Sequence, residues 1–501
     1  MSQNKNFYIT TTLPYVNSKP HVGFAMEITR ADVIARYKRS LGYNVFFNTG
    51  TDEHGLKIYQ KAKEEGKETQ EFLDEKVVHF KNLCQKLNIS HNNFIRTTDK
   101  NHIKSAQKFW EICDKNGYIY KKNYRGLYCV GCEMFLTEKD LVGGKCPHHP
   151  DKDPIEIEEE NYFFKYSAFA EKLLKIYSEK ENFVVPDARL KEIKNFVQNG
   201  LEDFSISRIK EKMPWGIPVP NDENHVMYVW FDALVNYVST LGWPDDYDSF
   251  NGVLAGGNFE QFWTNGTPTQ YCGKDNLHFQ SARWQAMLLA CGLPCSHQII
   301  INGFITSGGQ KMSKSLGNVI DPVEIIDEYG TDSLRYYLIR ELNAFEDSDF
   351  TIEKFKESYN ANLANGVGNV VSRILKMAED NFDLTPSEVI DFFSQIEKSP
   401  KDFLEKLPKD YVLHLEKFDL QKSADVIWNM IGLIDKQIQL ERPFSVVKED
   451  KIKGQELIKN YIIGLCHISQ MLLPIMPETS SKIKSAILEN KKPTTPLFSR
   501  K

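Results

Sequence analysis

The feature that most constrains this chain lies at its start. Residues 7–15 are strand-like, residues 23–41 repeat Ala, Ile, Val and Tyr at intervals of three and four, and Gly42 is followed by a second strand-like run, YNVFFN, at 43–48. Strand, helix and strand in this order form a βαβ unit. Two strands joined through a helix lie parallel, so the chain is committed to an α/β domain.

The rest of the chain fits around that unit. Strand and helix signals resume at 227–241 and 276–292, and QIIINGFIT at 298–306 is a strongly β-branched strand. Between them lies an irregular stretch rich in Gly and Cys. Beyond about residue 350 long helical patterns dominate, broken near Pro386, Pro400, Pro408 and Pro443. The expected organisation is the first half of an α/β domain at 1–120, an insert at 121–225, and the second half at 226–306. A loop and linker at 307–350 and a helical bundle at 351–501 complete it. The Lys-rich end from Lys482 reads as a solvated tail.

A formal net charge of −6 gives no general attraction to a polyanion, so any nucleic-acid surface must come from local clustering of Lys and Arg. The start, MSQNKNFYITTTLPY, lacks a basic segment followed by an apolar run, and no stretch approaches the ~20 apolar residues of a membrane span. A cytoplasmic protein without a membrane partner is expected.

Of nine cysteines, Cys84, Cys113, Cys272, Cys291, Cys295 and Cys466 are scattered and read as reduced thiols. Cys129-x-x-Cys132 and Cys146-x-x-His149, thirteen residues apart, have the spacing of a four-ligand zinc knuckle at about 125–150. Soft thiolates with an imidazole select Zn²⁺, and a closed tetrahedral site is structural. His148 is an alternative to His149, and metal-free reduced cysteines are the plainer reading.

Two strings carry chemistry. The first crossover reads PYVNSKPHVGF, which puts His21 where strand gives way to helix. A helix N-terminus offers unpaired N–H groups and partial positive charge; an imidazole adds a donor there, and Gly23 permits close approach. The second string, GGQKMSKSLGN at 308–318, sets two lysines and two serines between glycines directly after the QIIINGFIT strand. Ligands of doubly wound sheets gather outside the carboxyl ends of the strands, so both strings reach one crevice. Neither a Gly-x4-Gly-Lys-Ser/Thr loop nor a complete Gly-x-Gly-x-x-Gly follows the first strand. Each string alone is an ordinary turn or surface loop. In this order on α/β elements they are specific.

PHVGF and KMSKS resemble the two signatures of class I aminoacyl-tRNA synthetases. Within that class the chain resembles methionyl-tRNA synthetases along nearly its whole length, in the short form without a C-terminal tRNA-binding appendage. The stretches that carry the resemblance include TTLPYVNSKPHVGF, NTGTDEHG, GLYCVGCE, DFSISR, WGIPVP, YVWFDALVNY, GKDNLHF and NGFITSGGQKMSKSLGNVIDP. It implies a Rossmann-like nucleotide-binding domain with an inserted zinc-knuckle connective domain, then an all-α anticodon-binding bundle. An insert of about 100 residues is too small for the editing domain of leucyl, isoleucyl or valyl relatives.

The implied reaction joins L-methionine and ATP, with Mg²⁺, into methionyl-adenylate and pyrophosphate. The methionyl group then passes to the 3′-terminal adenosine of tRNA(Met), initiator tRNA included. Neither step needs a protein nucleophile; positioning and charge neutralisation suffice. The resemblance assigns Lys311, Lys314 and His21 to catalysis, with Gly308, Gly309 and Gly317 lending freedom to the lysine loop. His21, Gly23, Lys274, Asp275 and both lysines are assigned to ATP. Asp52 is assigned to the substrate ammonium, and Leu13, Tyr15, Trp230, Ala233, Tyr237 and Gln280 to the methionine pocket, where rings meet sulfur.

Plainer roles stand beside these: Asp52 capping the next helix, and YVWFDALVNY as core. Phe24 and Gln280 stand where relatives usually place His, which implies a slower enzyme or a compensating donor. For the anticodon the resemblance assigns Asn362, Arg373 and Phe444, the last in place of a Trp. Asn362 and Arg373 are eleven residues apart, close to three helical turns, and so are expected on one face. The bland reading is that they only solvate it. A monomer is expected. The competing readings are another class I amino-acid-activating ligase and a catalytically weakened tRNA-binding paralogue.

Overall fold

The computed structural model describes residues 5–129, 134–136, 141–147, 153–244, 258–312 and 318–501. Its central element is a sheet of β1 (Asn6–Thr11), β2 (Asn44–Thr51), β3 (Asn93–Arg96), β4 (Val184–Val185), β5 (Thr267–Gly273) and β6 (Gln298–Asn302), in the order β3-β2-β1-β5-β6-β4. Every pairing is parallel. The opening unit forms as expected, with α1 (Val22–Ser40) crossing from β1 to β2.

Alternate residues of β1 feed different cores, as the period-two side-chain pattern requires. Phe7 and Ile9 join one that continues through α1 into the C-terminal helices, whereas Tyr8 joins a second with Ile299, Ile301 and the helices at 229–243. Strand order reverses between β1 and β5, whose residues Thr11 and Tyr271 are paired. Both strands end there, at the position where such sheets bind ligands.

Val184–Val185, inside the stretch expected to be insert, pairs with Ile299 and Ile300 and supplies the sheet's edge strand. What stands out from the sheet is an antiparallel ribbon of Ile119–Cys129 and Ile155–Phe164, registered from Ile119↔Phe164 to Tyr128↔Ile155. QIIINGFIT is not one strand but breaks at Gly303, where a Cβ would lie 2.2 Å from the carbonyl of Glu346. Beyond the break Ile305–Ser307 pairs with Ser348–Asp349 and with Gln310–Lys311.

Buried arginines lock the helical end to the sheet. Arg30 of α1 donates to the carbonyls of Leu338, Leu342, Asn343 and Ala344. Arg335 lies 2.8 Å from Asp32 of α1 and donates to the carbonyls of Leu87, Pro474 and Ile475. The tail departs from the expected solvated end: Leu497 and Phe498 pack on the core, and Tyr359 donates to the carbonyl of Ser499 at 2.8 Å. Arg500 and Lys501 bond Asn365 and Asn360. The adjacent apolar pair Leu497-Phe498 was the signal in the sequence. Among the described residues no helix is long and apolar enough to cross a membrane.

Candidate active site at the switch point

The carboxyl end of β1 runs into Thr12, and that of β5 into Gly273. Between them lies Glu27, on the second turn of α1. Thr12 donates to Glu27 Oε1 through its N–H at 2.8 Å and its hydroxyl at 2.5 Å, and the Gly273 N–H donates to Oε2 at 3.2 Å. Burial pushes the Glu27 carboxyl up to about 7 against the lowering effect of Thr12, with neighbouring Asp275 raising it further. The two halves of the domain are thus joined at their ligand-binding edge by one buried acid. Sequence reading missed it; the signal was a carboxylate in α1 set between apolar Met26 and Ile28, both buried.

His21 is the N-cap residue of α1, with extended backbone (φ −116°, ψ 175°), and its Nδ1 accepts from the Gly23 N–H at 3.0 Å. The ring folds back so closely that a Cβ at Gly23 would lie 2.7 Å from His21 Cε1. Glycine is therefore needed first for the cap itself. The next N–H, of Val22, donates to the carbonyl of Ile320 at 3.2 Å, so the segment following the lysine loop lands on the same helix start. Phe24 faces away from the crevice, into the core, edge-on to Phe80 at 5.7 Å.

Lys314, with Ser313, Ser315 and Gly317, lies outside the described residues. At the loop's near edge Gly308 and Gly309, with φ of 63° and 75°, form the two-residue turn between Ile305–Ser307 and Gln310–Lys311. The Gly309 N–H also donates to Asp349 at 2.8 Å. These two glycines make a pinned hairpin, not the loose edge expected of them; Lys311 is held there by backbone pairing to Thr306. Lys274 reaches Asp347 at 2.6 Å and lies over the Phe304 ring, while exposed Asp275 accepts from Asn276.

Asp52 ends β2. A parallel bridge joins it to Tyr15, with the Asp52 N–H donating to the Pro14 carbonyl and the Val16 N–H to the Asp52 carbonyl. Asp52 as a whole residue is 8% exposed. The next helix, Leu56–Glu64, starts at Gly55 without a side-chain cap, so Asp52 does not take the capping role. Half-buried Leu13 and Tyr15 flank the bridge.

Trp230 opens the short helix Val229–Leu234 and stacks on Phe279 at 3.9 Å between ring centroids, 14° from coplanar. Phe279, which ends GKDNLHF just before Gln280, is a ring partner of Trp230 that sequence reading passed over. Ala233 is half-buried beside them. Tyr237 is buried, and burial pushes its hydroxyl well above the usual phenol range. Gln280 Nε2 donates to that hydroxyl at 2.6 Å, so the residue standing at a usual His position supplies a donor to the same tyrosine.

In the ribbon Cys129 and Cys146 are buried together with Leu136, against Leu141. Met134–Leu136 pairs back on Leu127–Cys129, and Val142 bridges Lys145 around Gly143 and Gly144 just before Cys146. The buried thiols of Cys129 and Cys146 meet in one small cluster, which fits half of the expected donor set. Cys132, His148 and His149 lie outside the described residues, among which no group of three metal-ligating side chains occurs.

The expectation that Asn362 and Arg373 share one helical face meets a correction. Tyr359–Gly368 is a widened helix, kinked at Gly366 (φ −87°, ψ −105°), so Asn362 and Arg373 do not share one straight face. Asn362 donates to Ser358, and its carbonyl accepts from the Trp428 indole at 3.3 Å. Arg373 lies beyond the kink, in Asn369–Asn381, paired with Asp435. Exposed Asn369, one turn earlier on that helix, is the asparagine that shares its face. Phe444 is 43% exposed, with the Arg442 guanidinium over its ring.

Comparison with known proteins agrees with this geometry. The family profile "tRNA synthetases class I (M)" matches residues 7–156 and 150–375. A methionine–tRNA ligase of Thermotoga maritima is 39% identical over 97% of this chain and 76% of its own length; one from Nostoc is 37% identical over 96% and 89%. The structure of Mycobacterium tuberculosis methionyl-tRNA synthetase in complex with methionyl-adenylate, 32% identical, superposes with a TM-score of 0.86 over 99% of this chain and 100% of that one. A parallel sheet reversing at a capped histidine, with sequence agreement running from that sheet through the helical end, places this chain in the methionine–tRNA ligase family of class I tRNA synthetases.

Proposed function

We propose that this chain is a methionine–tRNA ligase that activates methionine with ATP and transfers it to the 3′-terminal adenosine of tRNA(Met), initiator tRNA included. The observation that carries the reading is the convergence at the switch point. His21 at the start of α1, the Ile320 end of the lysine loop, the Tyr15–Asp52 bridge and the buried Glu27 all surround the ends of β1 and β5.

ATP lies with its phosphates toward the N-terminus of α1, where the positive end of the helix dipole and the His21 imidazole favour negative charge. Gly23 keeps that approach open, and Asp275 borders the nucleoside side; Lys274 is tied to Asp347 and orders the same edge. The methionine ammonium faces Asp52, and its thioether lies among Leu13, Tyr15, Trp230, Ala233 and Tyr237, with Gln280 orienting the tyrosine. Lys311 and Lys314 neutralise charge gathering on the departing pyrophosphate as the carboxylate attacks the α-phosphate. Mg²⁺ enters with the triphosphate.

Cys129, Cys132, Cys146 and His149 would hold one structural Zn²⁺, closing the knuckle without entering the reaction. Metal analysis of the purified chain tests this: about one zinc per chain is expected, falling in Cys146→Ser. Arg373 and Phe444 meet the anticodon by hydrogen bonding and stacking, with Asn362 behind them.

Methionine-dependent exchange of labelled pyrophosphate into ATP, followed by charging of tRNA, tests the proposal. Exchange and charging with methionine are expected. Exchange specific for another amino acid would favour a different class I ligase, and no exchange with any amino acid a tRNA-binding paralogue. Phe24 in the core and the Gln280 bond to Tyr237 weaken the motive for the latter.

A further inference from the structure

Behind the proposed methionine pocket lies a buried carboxylate that the reaction leaves unused. Asp232 is fully buried on the short helix Val229–Leu234, which also carries Trp230 and Ala233. Its ion-pair contacts among the described residues are both with imidazoles: His54 Nδ1 at 3.1 Å from Oδ2 and His102 Nε2 at 3.5 Å from Oδ1. His54 and His102 are themselves buried. His102 continues through Nδ1 to the Ser239 hydroxyl at 2.9 Å, on the helix that carries Tyr237.

His54 comes two residues after Asp52, and Asp232 two after Trp230. The contact therefore spans from the turn that faces the substrate ammonium to the wall that faces its side chain. The rest of that turn is held on its other flanks. Glu53 is bound by Arg96 at 2.8 Å, by the hydroxyls of Thr51 and Thr98 at 2.6 Å each, and by the Thr97 hydroxyl at its N–H. Trp215 donates its indole N–H to the Glu53 carbonyl at 2.7 Å, accepts from the Gly55 N–H, and lies against the His54 ring. Every residue from 53 to 55 is anchored, yet only His54 reaches the Trp230 helix.

A buried carboxylate is stable when a partner offsets its charge, and removing one partner leaves it uncompensated. Burial raises the Asp232 carboxyl pKa, but His54 and then His102 outweigh it, so the net direction is downward and the group stays ionised. The buried 3.1 Å contact between His54 and Asp232 ties the two segments together, a strut that resists displacement of either end.

We infer that His54 and Asp232 are positioning residues for methionine: their contact fixes the distance between the Asp52 carboxylate and the Trp230–Ala233 wall, and so sets the fit of ammonium and side chain together. Neither touches ATP, and neither takes part in bond making. The inference rests on the proposed roles of Asp52 and Trp230.

Pyrophosphate exchange by His54→Ala, His54→Asn, Asp232→Asn and Asp52→Ala, with KM for methionine and ATP, kcat and thermal midpoint for each, tests it. His54→Ala should raise the methionine KM about tenfold or more, with ATP KM within about twofold. His54→Asn, which keeps a donor near the place of Nδ1, should recover most of the loss. An unchanged methionine KM in His54→Ala, or equal losses in both KM values and kcat, would overturn the inference. Should His54→Ala fail to fold, Asp232→Asn decides by the same split: a raised methionine KM alone supports the strut, and no change or a general loss rejects it. Asp52→Ala separates the two levels. If it leaves methionine binding intact, the reading of the site itself fails; if it weakens binding while the His54 and Asp232 variants do not, only the strut does.

Discussion

The switch point and the face proposed for the anticodon on the helical end were both approached through residue spacing, and they behaved differently. At the switch point, residues far apart in the chain converge: Val22 meets Ile320, and Thr12 and Gly273 meet on Glu27. In the helical end, Asn362 and Arg373 are near in sequence and yet part company at the Gly366 kink. Convergence in a parallel sheet is fixed by strand order, which tolerates local irregularity. A shared helical face is fixed by each intervening residue keeping 3.6 per turn, and one widened turn cancels it.

The sharpest way to break the contrast is Lys314→Ala. If the lysine loop closes on the switch point, pyrophosphate exchange should fall about a hundredfold or more, the scale of losing one charge-stabilising group in a closed site. An unchanged rate would detach the loop from the crevice.

Glu27→Gln tests whether the two half-sheets are joined by a protonatable group. With its folded pKa raised to about 7 from 4.5, the parent holds a proton that the unfolded chain has lost. That contribution is fully present below the unfolded value and is lost as pH rises through the folded one. Denaturation of parent and variant from pH 4 to pH 8 should show the variant gaining on the parent by on the order of 3 kcal/mol. Parallel curves would mean that Glu27 titrates normally.

On the helical side, Arg373→Ala should raise the KM for tRNA in charging about tenfold, the cost of one polar base contact, with methionine-dependent exchange untouched. Asn362→Ala should change it at most about twofold, since its bonds run to Ser358 and Trp428. Equal effects would restore the one-face argument. The smallest effect is expected from Gly23→Ala. The added methyl displaces the His21 ring and breaks the cap, so the thermal midpoint should fall slightly while ATP KM increases a fewfold. A variant with normal ATP KM would show that the ring has room to move.

Legibility followed the same division. The βαβ opening, the parallel sheet, the helical end and the placing of His21 at a helix start were all readable, because hydrophobic period and helix-start chemistry are local. Glu27 and Phe279 went unread: a carboxylate within a helix and a ring before a glutamine look ordinary until strand order brings Thr12, Gly273 and Trp230 to them. Gly308 and Gly309 looked loose because glycine permits both a free loop and a tight hairpin, and the pairing of Ser307 with Gln310 chose the hairpin.

The sequence by itself determined the fold class, the order of the halves and the two strings proposed to meet ATP, since each depends on contacts between near neighbours in the chain. Only the tertiary structure decided that Val184–Val185 closes the sheet edge, that Phe24 belongs to the core, and that Asp232 faces two imidazoles. Those outcomes depend on which distant segments share a buried volume, and a buried charge acquires its role from neighbours that spacing along the chain does not reveal.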